Sequence, residues 1–220
     1  MEYNYKILAE IFAIPSNINL RDAAIKAGFL PRILERLSAV SGEKPRVIDE
    51  VLESEDSDEL LDSVPTLKRE ESRKEDGTKK ARKGVGYSAK QGETWNVAAY
   101  FDNKKSKNDQ MKTLIDICCN FFNTTEWLAN KEVCYQILES ALLPLLENAF
   151  RNGSWIDMVK EAPLYHSYLA LTRAIAGQTH LAPCLAEIDK KYKPVQNQPI
   201  YLLLSKLNEL AQIFLSCLNQ

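Results

Sequence analysis

ESALLPLLENAFRNGSWIDMVKEAPLYHSYLALTRAIA, residues 139–176, reads as a helix, a sharp turn, a short helix, a proline and another helix. Its first part continues an apolar pattern that begins earlier. Ile137, Leu138, Ala141, Leu142, Leu145, Leu146, Ala149 and Phe150 predict a helix from about Lys131 to Phe150. So wide an apolar face must pack against neighbours on two sides. Pro144 lies inside it and predicts a kink or break near Leu143, because proline removes a backbone donor and clashes with the preceding turn. Asn152-Gly153 stops the helix. Ser154, with Asp157 three residues on, makes a capping-box-like start for the next. Pro163 closes that short turn and opens a helix with Leu164, Tyr165, Tyr168, Leu169, Thr172, Ile175 and Ala176 on one side. Gly177 ends it.

Helical spacing extends in both directions. Pro199 sits where a first turn tolerates proline. Ile200, Leu203, Leu204, Leu207, Leu210, Ala211, Phe214, Leu215 and Leu218 then form one stripe. Upstream, Thr94 caps a helix starting at Trp95, and Met111, Leu114, Ile115, Cys118, Phe121 and Phe122 repeat at helical spacing until Asn123-Thr124-Thr125 interrupts. Near the N-terminus Tyr3, Ile7, Leu8, Ile11 and Phe12 share a face, and Pro15-Ser16 breaks it. Asn19 is a cap candidate for a helix with Leu20, Ala23, Ala24 and Ala27 together, and Gly28 suits the left-handed residue at its end. Phe29-Leu30-Pro31 opens a helix striped by Leu30, Ile33, Leu34 and Leu37, the short-then-long helix order of an armadillo-type repeat. No stretch alternates with period two. The fold class is all-α. An armadillo-like helical repeat scaffold of layered, right-angled helices suits the unequal, proline-broken helices better than an up-down bundle.

Residues 41–83 differ. Asp49–Asp62 carries eight acids and no base, and Lys68–Lys83 carries eight bases against four acids. Such a tract buries too little apolar surface to offset its ordering entropy, so a disordered acidic-then-basic linker is expected. The chain thus divides into an armadillo-like segment (1–40), the linker (41–83) and a helical scaffold domain (84–220). The Lys79–Lys83 cluster is either a solvated part of that linker or a patch for an anionic partner or import signal.

Hydrophobic residues make up 45% and charged residues 26%, as in soluble globular proteins, and a net charge of -2 argues against a dedicated nucleic-acid binder. The five cysteines (Cys118, Cys119, Cys134, Cys184 and Cys217) form no C-x-x-C pair and read as reduced, mostly buried thiols of a cytoplasmic protein. No basic-then-apolar leader, no membrane-spanning run and no Gly-rich phosphate loop is evident.

Reactive constellations are scarce. His180 lies four residues before Cys184, but a dyad would need an orienting group and an oxyanion hole that nothing in the sequence supplies. His166 sits beside an apolar helix face. No four-ligand His/Cys set has metal spacing. Glu132 with Glu139, and Glu187 with Asp189, read as solvated charges. No catalytic, cofactor-binding or metal residue is therefore assigned, and no cofactor is expected. Trp95, Trp127 and Trp155 are candidates for an interaction surface, with core packing as the alternative reading.

Two segments carry a family resemblance. The first is Lys83-Gly-Val-Gly-Tyr-Ser88, followed by Trp95. The second runs Leu142-Leu-Pro-Leu-Leu146, Phe150-Arg-Asn-Gly-Ser154, Ile156-Asp-Met158, Ala162-Pro-Leu-Tyr165 and Leu171-x-Arg-Ala-Ile-Ala176. In order and spacing they resemble the region upstream of the conjugating domain in the giant BIR-repeat-containing ubiquitin-conjugating enzymes, the BRUCE or Apollon family. The resemblance covers roughly 83–177. It implies a piece of a large cytoplasmic E2/E3 enzyme that ubiquitinates proteins and restrains apoptosis. Neither a zinc-binding BIR set nor a conjugating domain is recognisable here, so the expected role is a non-catalytic scaffold whose partners are ubiquitin-pathway components or clients, with no nucleic acid, in a larger assembly or homodimer. The alternative is a stand-alone armadillo-type adaptor that binds a peptide or partner helix and has no link to ubiquitin.

Overall fold

A computed structural model describes residues 2–14, 18–46, 97–125, 127–188 and 198–218. These form helices and no strand: α1 (Glu2–Phe12), α2 (Ile18–Lys26), α3 (Phe29–Ser41), α4 (Val97–Phe122), α5 (Lys131–Leu138), α6 (Leu142–Asn152), α7 (Trp155–Lys160), α8 (Ala162–Ala176), α9 (Ala182–Ala186) and α10 (Ile200–Leu218). The all-α class holds. Thr94, Trp95, the Lys79–Lys83 cluster and most of the expected linker lie outside the described residues.

The fold is organised by α4. Its C-terminal half buries Met111, Leu114, Ile115, Ile117, Cys118, Cys119, Phe121 and Phe122, apolar almost all round. Such a helix must be enclosed. α8 lies along one flank, while α1 and α3 cover others. α3 also reaches α5 and α6, and α10 packs on α6 and α9. One buried cluster runs from Phe12 to Leu203. A solenoid repeat touches only its neighbours in sequence. Helices gathered about α4 do not show that pattern, and the armadillo-type repeat is not confirmed.

Two polar side chains close the ends of helices inside this core. The last carbonyls of a helix have no intrahelical donor. Arg21, fully buried on α2, donates from Nε to the Phe121 carbonyl at 3.0 Å and from Nη2 to those of Phe12 at 2.9 Å and Asn120 at 3.1 Å. One guanidinium thus serves the C-termini of both α1 and α4, where the helix dipoles favour a cation. Gln178 donates through Nε2 to the carbonyls of Phe122 at 2.8 Å and Thr124 at 2.9 Å, and its Oε1 accepts from the Ala129 amide at 3.0 Å. It fixes the turn that leaves α4.

Helix boundaries follow the local signals with three corrections. The helix expected over 131–150 is two helices, α5 and α6, separated at Glu139–Ala141. Pro144 therefore falls in the first turn of α6, where its missing N–H is one of the unpaired donors anyway, and it kinks nothing. Asn19 does not cap α2, which already begins at Ile18. The inward face of α2 carries Ile18, Leu20, Arg21, Ala24 and Ile25; of the expected set Leu20 and Ala24 face the core, while Ala23 and Ala27 are exposed. Gly28 is left-handed as expected (φ 67°). Ser154 Oγ accepts from the Asp157 amide at 3.1 Å, the cap predicted for α7.

The start of the expected linker is also docked. Gly42 takes the left-handed conformation (φ 83°), and the Glu43 carbonyl accepts from Ser38 Oγ at 2.6 Å. Arg46 is buried and pairs with Glu147 at 3.2 Å. Glu147 also receives Arg151 and, at 2.5 Å, the amide of Gln198.

Candidate interaction surface

The three tryptophans have different environments. Trp127 is only 4% exposed. Its indole N–H donates to Asp22 Oδ1 at 2.8 Å and its ring meets Phe121 edge-on, with centroids 5.3 Å apart. It joins α2 to α4 from within. Trp155 opens α7 and is 46% exposed. Trp95 lies outside the described residues. Of the two described, Trp127 is a core residue and Trp155 a surface one.

Cys184 faces Cys134, with the sulfur atoms 3.3 Å apart. Burial, reinforced by that contact, pushes the Cys184 thiol up to about 12. This suits a packed thiol and opposes a nucleophile, which works as the thiolate. His166 and His180 are both exposed. Among the described residues no group of three His, Cys, Asp or Glu side chains could hold a metal ion.

Three surfaces are shaped for contact. The first is α10 itself. Ile200 and Leu203 are buried and Leu204 and Leu207 half-buried, but Leu210, Ile213, Phe214 (61%) and Leu215 (50%) are exposed. The stripe runs off the end of the body. By length and composition only, Ile200–Cys217 could also cross a membrane. The second is an apolar groove of about 320 Å³ where α8 and α9 meet the start of α10, bordered by Leu169, Ala176, Leu185 and Leu204. The third is a groove of about 430 Å³ between the outer half of α4 and the α7–α8 junction, with Phe101, Pro163 and Leu164 among four lysines. There Lys104 Nζ meets Glu161 at 2.7 Å, and that hydrogen bond raises the Lys104 pKa. Nearby, the hydroxyl of Ser154 holds the Asp157 carboxyl below its usual range. Ile156 and Val159 on α7 are exposed beside it.

No family model matches the sequence. Among curated proteins, the dual E2 ubiquitin-conjugating enzyme/E3 ubiquitin-protein ligase BIRC6 of Mus musculus is 27% identical over 187 residues, or 76% of this chain. The Homo sapiens BIRC6 is 26% identical over the same length. The chain is distantly similar to a region of BIRC6, the BRUCE enzyme. It spans 4% of the length of these relatives. The similarity to BRUCE extends well beyond the 83–177 stretch expected from the motifs. The motif residues in α6, α7 and α8 are chiefly core positions (Leu142, Leu146, Phe150, Leu171, Ile175) and helix stops (Gly153, Ser154, Pro163). Their role in this chain is to fold the region.

The third groove is not legible in the sequence because its walls, on α4 and at the α7–α8 junction, are far apart along the chain. The adjacent pair Tyr100-Phe101 in a polar stretch was the available signal: both rings are exposed, 5.6 Å apart at their centroids.

Proposed function

We propose that this chain is a non-catalytic helical scaffold and protein-interaction segment of the ubiquitin pathway, of the kind that precedes the conjugating domain in BRUCE-type enzymes. It acts in the cytoplasm by holding partners or clients in position. One observation carries the reading: the apolar stripe of α10 is buried at its start and bare at Leu210, Phe214 and Leu215. A helix face that apolar is made to be covered. The raised Cys184 and Cys118 thiols and the distant BIRC6 similarity support a supporting role in the pathway.

Two measurements test it. Incubated with ubiquitin, ATP and an activating enzyme, the chain should form no reductant-sensitive ubiquitin adduct; such an adduct on any cysteine overturns the non-catalytic reading. In pull-downs, ubiquitin-pathway proteins should be recovered by the chain and lost with Leu210→Asp/Phe214→Asp. Recovery that is indifferent to those substitutions would remove α10 from the proposal.

A further inference from the structure

We infer that Cys134 and Cys184 are a redox modification site: hydrogen peroxide joins them in a reversible disulfide that pins α9 to α5. This goes beyond the scaffold reading and uses none of the bare residues of α10.

Geometry selects the pair. The two thiols stand 50 positions apart in sequence, on different helices, with their sulfur atoms 3.3 Å apart. Closing to a bond of about 2.05 Å asks for a movement of little more than 1 Å, roughly the reach of a side-chain rotation. The remaining cysteines are placed otherwise. Cys118 and Cys119 are successive residues of α4, and successive side chains on a helix do not face each other. Cys217 is exposed on the bare end of α10.

The two members differ in access. Cys134 is half-buried and Cys184 buried. Cys134 is therefore the entry point. Its sulfur attacks peroxide: an S–O bond forms, the O–O bond breaks, and the thiol proton leaves with the released hydroxide as water. The Cys184 sulfur then attacks the Cys134 sulfenic acid. The S–S bond forms, the S–O bond breaks, and the Cys184 proton converts the departing hydroxide to water. Two thiols are oxidised and one peroxide is reduced to two waters. Burial keeps Cys184 protonated, which unfits it to react first, but its sulfur already lies against its target, and proximity offsets weak nucleophilicity. The Arg46 guanidinium lies near enough to favour the Cys184 thiolate. The Arg46 side chain is 2% exposed, and among the described residues its Nε and Nη1 have no hydrogen-bond partner. A buried cation with spare donors thus accompanies the pair.

The bond would join two sets of helices. α5 packs on α3 and α6, whereas α9 packs on α8 and α10. α9 also supplies Ala182, Leu185 and Ala186 to the apolar groove at the start of α10. Oxidation therefore fastens the seat of α10 to the rest of the core. Disulfides in reducing compartments are chiefly transient and redox-sensing, which suits a pair held in contact as thiols.

The test treats the full native chain, carrying Cys217→Ser to prevent cross-linking between molecules, with hydrogen peroxide. Mass mapping without reductant should find Cys134 joined to Cys184, and dithiothreitol should release them. No such bridge, or one that forms only when urea unfolds the chain, overturns the inference. In Cys184→Ala a sulfenic-acid trap should label Cys134, and in Cys134→Ser Cys184 should stay reduced; oxidation of Cys184 in Cys134→Ser at the wild-type rate overturns the order of attack. The bridged chain should gain about 5 °C or more in Tm, with slower hydrogen exchange over residues 182–186 and 200–204. An unchanged Tm and unchanged exchange there overturn the pinning of α9. Ubiquitin and activating enzyme are absent throughout, so this inference and the scaffold reading fail separately.

Discussion

Arg21 is the residue on which most of the helix-end chemistry depends. Replacing it with Met keeps the volume but strands the carbonyls of Phe12, Asn120 and Phe121 in the interior. Each unmet buried acceptor costs about 1–3 kcal/mol, so Arg21→Met should destabilise the chain by about 3 kcal/mol or more, measured by urea unfolding. A loss under about 1 kcal/mol would mean that water replaces the guanidinium. The thiols make a second prediction. Burial raises the Cys118 and Cys184 thiols from their ordinary value of 9.0 to about 12. The unfolded chain therefore releases these protons first as pH rises. The native state then binds more protons than the unfolded one, so stability is full below pH 9 and falls between pH 9 and about 12. At neutral pH a maleimide should modify exposed Cys217 well before Cys118 or Cys184. Neither feature was fully legible beforehand. Cysteines on apolar faces announce burial, but an arginine in Asn-Leu-Arg-Asp reads as solvated, because its reason to be buried lies about 100 residues away in α4.

At the scale of elements, the junction of α6 and α7 is the tightest. Gly153 has an ordinary φ of -69°, so backbone strain is not its reason for being glycine. A Cβ there would meet Tyr165 Oη at 2.5 Å, the Ala149 carbonyl oxygen at 2.7 Å and Met158 Cε at 3.1 Å. The backbone contact cannot swing away. Gly153→Ala should therefore cost about 1–3 kcal/mol by overpacking, despite the better helix propensity of alanine. Equal or greater thermal stability would show that α7 can lift off α8. The Gly153, Ser154 and Pro163 stops were readable because each acts through its own backbone. The α5–α6 break was misplaced because proline can mark either a kink or a first turn, and only the position of Ala141 before α6 decides between them. The docking of 41–46 was unreadable for another reason: Arg46 has its partner at Glu147, and nothing local to the polar tract reveals it.

At the scale of the whole molecule, stability should grade along α10. Its first turn is locked into the common core by Ile200 and Leu203, while its last turns leave Leu210, Phe214 and Leu215 uncovered. The stripe itself was legible from sequence; its loss of cover was not, since periodicity reports a face and says nothing of what meets it. Amides held by packed turns open only with the global transition, and those in unpacked turns open locally. Hydrogen exchange should therefore be slow in α4, α8 and residues 200–204, and fast from about Leu210 onward. A partner that covers the stripe should slow only that last segment. Vesicles give the competing outcome. Insertion of α10 would pull Ile200 and Leu203 out of the core, and burying Lys206 near the centre of a span would cost about 3 kcal/mol more. Flotation with neutral liposomes should leave the chain in the protein fraction, with the exchange gradient unchanged. Co-flotation together with slowed exchange across all of Ile200–Cys217 would instead make α10 a membrane element and end its reading as a protein-docking face.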